Sequence, residues 1–142
     1  MFIAADQDGQ GKANLNTYKN GIVEVKKGPM GINGAHSPKG LLTFKINAKT
    51  DRPQERAMLM FDIYSKEAGA MAVKLIADYF GEKTEYFAWV TVMGGEVWQN
   101  VKIELSRFKT EQGMALKDFS KINAMEFVQT DKEFLVNNAL WV

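Results

Sequence analysis

The feature that most constrains this chain is the series of short apolar alternations in its last forty-five residues, Trp98 to Val142. Val101, Ile103 and Leu105 share one parity. Met125 and Phe127 share another, with Ile122 just before them, and Ala139 and Trp141 close the chain. A period of two places each set on one face of a strand. The polar stretch Gln129-Thr-Asp-Lys132 separates the last two strands and suits a β-turn or hairpin loop.

The same pattern recurs upstream. Leu42, Phe44 and Ile46 alternate within a strand spanning 41–48. Between Arg56 and Ser65, Leu59, Phe61 and Ile63 take one face while Met58, Met60, Asp62 and Tyr64 take the other. Glu85 to Met93 is rich in aromatic and β-branched residues and reads as a strand. Ala13–Lys19 and Gly21–Lys27 alternate about Asn20-Gly21, a tight-turn signal, and predict a hairpin. Residues 1–12 read as a flexible lead-in. The thirteen residues Gly28 to Gly40 hold four glycines and two prolines and read as loop. Gly81–Thr84 and Gly94-Gly95 read as turns, and Thr110–Asp118 as a polar connection. Glu67 to Phe80 fits both periods: Met71, Leu75, Ile76, Tyr79 and Phe80 form a helical stripe, whereas Val73, Leu75, Ala77 and Tyr79 alternate as in a strand, with Lys74 and Asp78 facing away. Counting it as a strand gives eight or nine strands, punctuated by glycine turns. That pattern predicts an all-β fold, an antiparallel sandwich of two sheets in one domain.

At 142 residues, a chain buries roughly 68–70% of its unfolded surface and needs no covalent staple. The absence of cysteine excludes disulfides, thiolate metal sites and a cysteine nucleophile. Eighteen basic and seventeen acidic residues leave a net charge of +1, which gives a nucleic-acid partner no electrostatic footing. No apolar run approaches membrane-spanning length.

Several stretches carry a resemblance. Trp98-x-x-Val-x-Ile-x-Leu-Ser-x-Phe108, the Ile122-x-x-Met-x-Phe127 strand and the closing Phe134-Leu-Val-Asn-Asn-Ala-Leu-Trp-Val142 resemble the C-terminal half of carbohydrate-binding modules with the galactose-binding-domain-like jelly roll. Leu59-x-Phe-Asp-Ile63 is similar to the L-x-F-D-I strand of the family 11 type of β-glucan-binding module. The resemblance implies a jelly roll with a strand over 67–80. It implies a secreted, extracellular module that binds a β-glucan or related plant cell-wall chain and targets a covalently attached glycoside hydrolase. Asn137-Asn138 stands where such modules carry an aspartate-asparagine pair, so these residues are the candidates for a structural calcium. Gln129 falls where they show a binding aromatic.

The search for catalytic residues finds little. The chain lacks a Gly-x-Ser-x-Gly elbow and a His-Glu-x-x-His motif, and the single histidine, His36, reads as a solvated loop side chain. The carboxylates Glu104, Asp118 and Glu126 read as solvated strand faces, which leaves a small glycosidase or lyase as a minor reading. Sugar binding needs less. A pyranose has an apolar C–H face that flat aromatic rings cover, and a rim of hydroxyls that amides and charged groups satisfy. Faces opposite the core set therefore nominate Tyr64 and Asp62, Lys74 and Asp78, Trp89, and Gln129 at its strand end. For Trp89, core packing is the competing reading; Trp98 and Trp141 read as packing residues. The alternative function is an assembly module of the same fold that holds a protein partner.

Overall fold

The computed structural model describes residues 24–47, 49, 52–54 and 56–142. The predicted 13–27 hairpin and the 1–12 lead-in lie largely outside this range. Nine strands are described: β1 (Val25–Lys27), β2 (Asn33–Ser37), β3 (Leu41–Lys45), β4 (Met58–Tyr64), β5 (Gly69–Tyr79), β6 (Glu82–Val92), β7 (Gln99–Glu104), β8 (Ile122–Val128) and β9 (Phe134–Trp141). They form a five-stranded sheet in the order β1-β2-β9-β4-β7 and a four-stranded sheet in the order β3-β8-β5-β6, with all pairings antiparallel. Only β1–β2 and β5–β6 are consecutive neighbours in one sheet, so every other connection crosses between sheets. This is the expected β-sandwich. No helix among the described residues is long and apolar enough to cross a membrane.

The alternating residues close the sandwich. Leu59, Phe61 and Ile63 of β4 face Met71, Val73, Leu75 and Ala77 of β5 and Met125 and Phe127 of β8, all in one buried cluster. Phe127 joins the layers, edge-on to Phe61 of the opposite sheet at 5.0 Å and to Phe44 of its own sheet at 5.9 Å. Trp141 packs edge-on against Phe119 at 5.7 Å. Tyr79 and Tyr86 share a hydroxyl hydrogen bond of 3.2 Å. That bond, with burial second, raises the Tyr79 pKa to about 12.

Two local expectations are corrected, and a third is met by one of its two alternatives. Segment 28–40 is not all loop, because Asn33–Ser37 is a strand between β1 and β9. Its Gly34 is a packing residue: a Cβ there would lie 2.8 Å from the Trp98 ring and 2.9 Å from Leu135. The β5–β6 turn is Phe80-Gly81, not 81–84, since Tyr79 pairs with Glu82. Phe80 and Gly81 both adopt positive φ, 53° and 90°, as a two-residue hairpin loop that matches strand twist requires. Between β8 and β9, the Lys132 N–H does close a turn on the Gln129 carbonyl at 3.1 Å. The two strands nevertheless belong to different sheets, so the turn is a corner of the sandwich and not a hairpin.

His36 is also not a solvated loop residue. It sits on β2 and donates from Nε2 to Glu133 Oε2 at 2.8 Å, while Lys26 reaches the same carboxylate at 3.3 Å. The hydrogen bond from His36, followed by that from Lys26, holds the Glu133 pKa below the ordinary glutamate value. Stability from such a group is fully present above the unfolded pKa and is lost as pH falls through the lowered folded value. Glu133→Gln is therefore expected to flatten the acid limb of a Tm-against-pH curve recorded between about pH 3 and 6. An unchanged acid limb would show that the ion pairs contribute nothing.

Candidate functional site

The outer face of the four-stranded sheet is built in rows fixed by strand register. Leu41, Val128, Ala72 and Trp89 lie side by side across β3, β8, β5 and β6. The next row is Thr43, Glu126, Lys74 and Phe87, and the third is Lys45, Ala124, Ile76 and Glu85. In β6, the core takes Tyr86, Ala88 and Val92, so Glu85, Phe87 and Trp89 must point outward. Trp89 is 58% exposed and packs edge-on to Phe87 at 6.2 Å.

Beside these rings, the small side chains Ala70 and Ala72, with Val128, leave a low floor. The result is a groove of about 580 Å³. Its rim is polar. Lys74 pairs with Glu85 at 3.3 Å; further along the same row, outside the groove, the Thr43 hydroxyl donates to Glu126 at 2.9 Å. Lys132 stands at the Thr130 end of the groove, donating to the Ala68 carbonyl at 2.8 Å. On the opposite side the backbone of Lys109 pairs with Phe87, with bonds of 2.9 and 3.2 Å, and extends the sheet past its edge. Glu111 is thereby brought to the rim. Arg107 Nη2 donates to the Trp89 carbonyl at 3.0 Å and ties down the backbone that carries the ring.

The nominated residues do not form one cluster. Lys74, Trp89 and Gln129 line the groove. Asp78 is on the same face, six residues along β5 from Ala72, and its Oδ1 accepts the Gly81 N–H at 2.8 Å, capping the hairpin. Asp62 and Tyr64 are on the outer face of the other sheet, with the core between them and Trp89. Asp62 accepts from both Asn100 and Asn138 at 2.9 Å. It thereby holds Asn138, which has φ 51°, where the β4–β9 register shifts. Gln129 continues the inward parity of Met125 and Phe127; it is 2% exposed, and neither of its buried amide atoms finds a partner. Phe87 and Glu85 were not nominated, although they share the parity of Trp89 in the sequence.

Among the described residues, no three His, Cys, Asp or Glu side chains gather as metal ligands. Asn138 commits its amide N–H to Asp62, and Asn137 is 1% exposed.

No protein-family model matches the chain, and no curated protein sequence does. Solved structures match over nearly its whole length. A family 11 carbohydrate-binding module from Clostridium thermocellum, in complex with a β-1,3-1,4-mixed-linked tetrasaccharide, superposes with a TM-score of 0.64 at 16% identity, covering 95% of this chain and 92% of that one. The chain has the fold of a carbohydrate-binding module. The family 30 module of the C. thermocellum cellulosomal cellulase Cel9D-Cel44B gives a TM-score of 0.58 at 16% identity over 99% and 90%. A xylan-binding domain of family 22 gives 0.56 at 14% identity over 90% and 92%.

Proposed function

We propose that this chain binds a neutral polysaccharide, a β-glucan or related plant cell-wall chain, in the groove on its four-stranded sheet and does not cleave it. In this reading it is one extracellular domain that holds an attached glycoside hydrolase near its substrate, raising local concentration without new chemistry. The observation that carries the proposal is Trp89: a half-exposed indole on a sheet face, beside a floor of alanine and valine and a rim of charged side chains. A soluble domain leaves a large ring in that position at a cost in hydration that a sugar face removes. The mixed rim, Lys74 and Lys132 against Glu85 and Glu111, suits a neutral ligand bearing many hydroxyls better than a polyanion.

Affinity electrophoresis tests this directly, with gels containing barley β-glucan, xyloglucan, glucomannan or hydroxyethyl cellulose. One polymer is expected to retard the protein, and Trp89→Ala to relieve the retardation. Covering about 100 Å² of indole contributes about 2.5 kcal/mol at roughly 25 cal/mol per Å², so the variant should bind tens of times more weakly. Since Trp89 lies outside the core, its Tm should barely change. Unhindered migration in every gel would overturn the proposal and favour a protein partner for this face.

A further inference from the structure

A second cavity lies on the opposite side of the sandwich, at the Tyr64 end of the five-stranded sheet. It has about 650 Å³ and is lined by Tyr64, Leu135, the Gly28–Met30 turn and six charged side chains. Local packing builds it. The Trp98 ring covers Gly28 and Gly34, either of which would bring a Cβ within 2.9 Å of the indole. Its Nε1 donates to the Pro29 carbonyl at 3.1 Å, so the tryptophan pins the turn that forms one wall. Tyr64 packs tilted against Trp98 at 6.0 Å and supplies the facing wall. Met30, 93% exposed and held at φ 61°, projects from the turn beside the opening.

The rim carries three lysines, Lys26, Lys27 and Lys66, and three glutamates, Glu67, Glu96 and Glu133. Lys26 and His36 occupy Glu133. The side chains of Lys27, Lys66, Glu67 and Glu96 form no hydrogen bond or ion pair with any described residue. The cavity thus combines a fixed aromatic wall, balanced charge and polar groups with unused bonding capacity. Balanced charge disfavours an ionic ligand. An aromatic wall with hydroxyl-satisfying groups around it matches a sugar ring.

We propose that this cavity is a second sugar-binding site, independent of the Trp89 groove. The choice of ligand rests on the sugar-binding reading of that groove. Because Tyr64 and Trp89 stand on different sheets, one domain would engage two chains, or two stretches of one polymer, and gain avidity on a polysaccharide that it lacks on a short oligosaccharide.

The tryptophans make the test specific. Trp89 reports the groove; Trp98, which backs Tyr64 and bonds Pro29 of the cavity wall, reports the cavity; and Trp141, packed on Phe119, serves as the control. Their indole N–H signals can be followed by NMR while the intact protein is titrated with a mixed-linked β-glucan tetrasaccharide. The expected result is that Trp89 and Trp98 shift with separate midpoints and Trp141 stays still. In Trp89→Ala, the Trp98 shift persists. Lys66→Ala, an exposed substitution that leaves the packing intact, raises the Trp98 midpoint about fivefold, the worth of one net hydrogen bond, and leaves that of Trp89 unchanged. Movement of Trp89 alone would overturn the second site and leave the groove standing. Movement of Trp98 alone would support the second site and remove the groove, and stillness of both would overturn the two proposals together.

Discussion

Phe127→Ala is expected to lower the unfolding free energy by about 3–5 kcal/mol, the range for deleting a fully buried phenylalanine. The ring has no exposed surface, and β8 lies inside its sheet between β3 and β5. It touches Phe44 within its own sheet and Phe61 across the core. Few neighbouring groups can move to fill the space, since they belong to paired strands on both layers. A urea titration followed by far-UV circular dichroism should show a lower midpoint with the slope preserved. A loss under about 1 kcal/mol would mean that the two sheets do not meet at this ring.

Gly40→Ala is expected to cost at least about 3 kcal/mol, from backbone strain together with overpacking. Gly40 sits where the chain crosses from β2 to β3, at φ 94°, and an added Cβ would fall 2.1 Å from the Gln129 carbonyl oxygen and 2.9 Å from the Asp131 nitrogen. The same contact carries a hydrogen bond from the Gln129 N–H to the Gly40 carbonyl at 2.9 Å. Ser37 Oγ braces the corner by accepting the Gly40 N–H and donating to the Leu41 carbonyl, both at 3.0 Å. Gly81→Ala is the control. Its φ is 90°, but nothing lies within 4 Å of the added Cβ, so it should show strain alone, about 1–2 kcal/mol. Equal losses at the two positions would mean that the two sandwich corners at Gly40 and Gln129 do not touch.

How legible this architecture was depended on burial. β4 and β8 were plain because fully buried residues, Leu59, Phe61, Ile63, Met125 and Phe127, alternate with partly exposed ones, Met60, Asp62, Tyr64, Glu126 and Val128. β5 was ambiguous for the opposite reason. Met71, Val73, Leu75 and Ala77 face the core, yet Ala72 and Ile76 on the outer face are also nearly inaccessible. With buried apolar residues on both faces, the alternation blurs and a helical stripe emerges from the same letters. β2 was hidden because its one glycine, Gly34, serves Trp98 and not a turn, a tertiary contact that local propensity does not register.

The site was legible strand by strand, but not as an assembly. Alternation identifies which residues share a strand face, and so it placed Trp89, Lys74 and Tyr64 on faces opposite the core. It does not identify which strands share a sheet. With most connections crossing the sandwich, Tyr64 and Trp89 are on opposite surfaces even though each lies opposite its own core set. Gln129 lines the groove at the end of β8, with its amide buried on the inner parity of that strand.

The central claim is that the Trp89 face holds a polysaccharide without chemistry. Isothermal titration of the protein and of Trp89→Ala with mixed-linked β-glucan tetrasaccharide, followed by chromatography of the recovered sugar, tests it most directly. The account predicts saturable binding by the native chain, affinity reduced tens of times in a variant of unchanged Tm, and a tetrasaccharide recovered at full length. Equal affinity in the two proteins would contradict the placement of the site, and shortened sugar would contradict the non-catalytic reading.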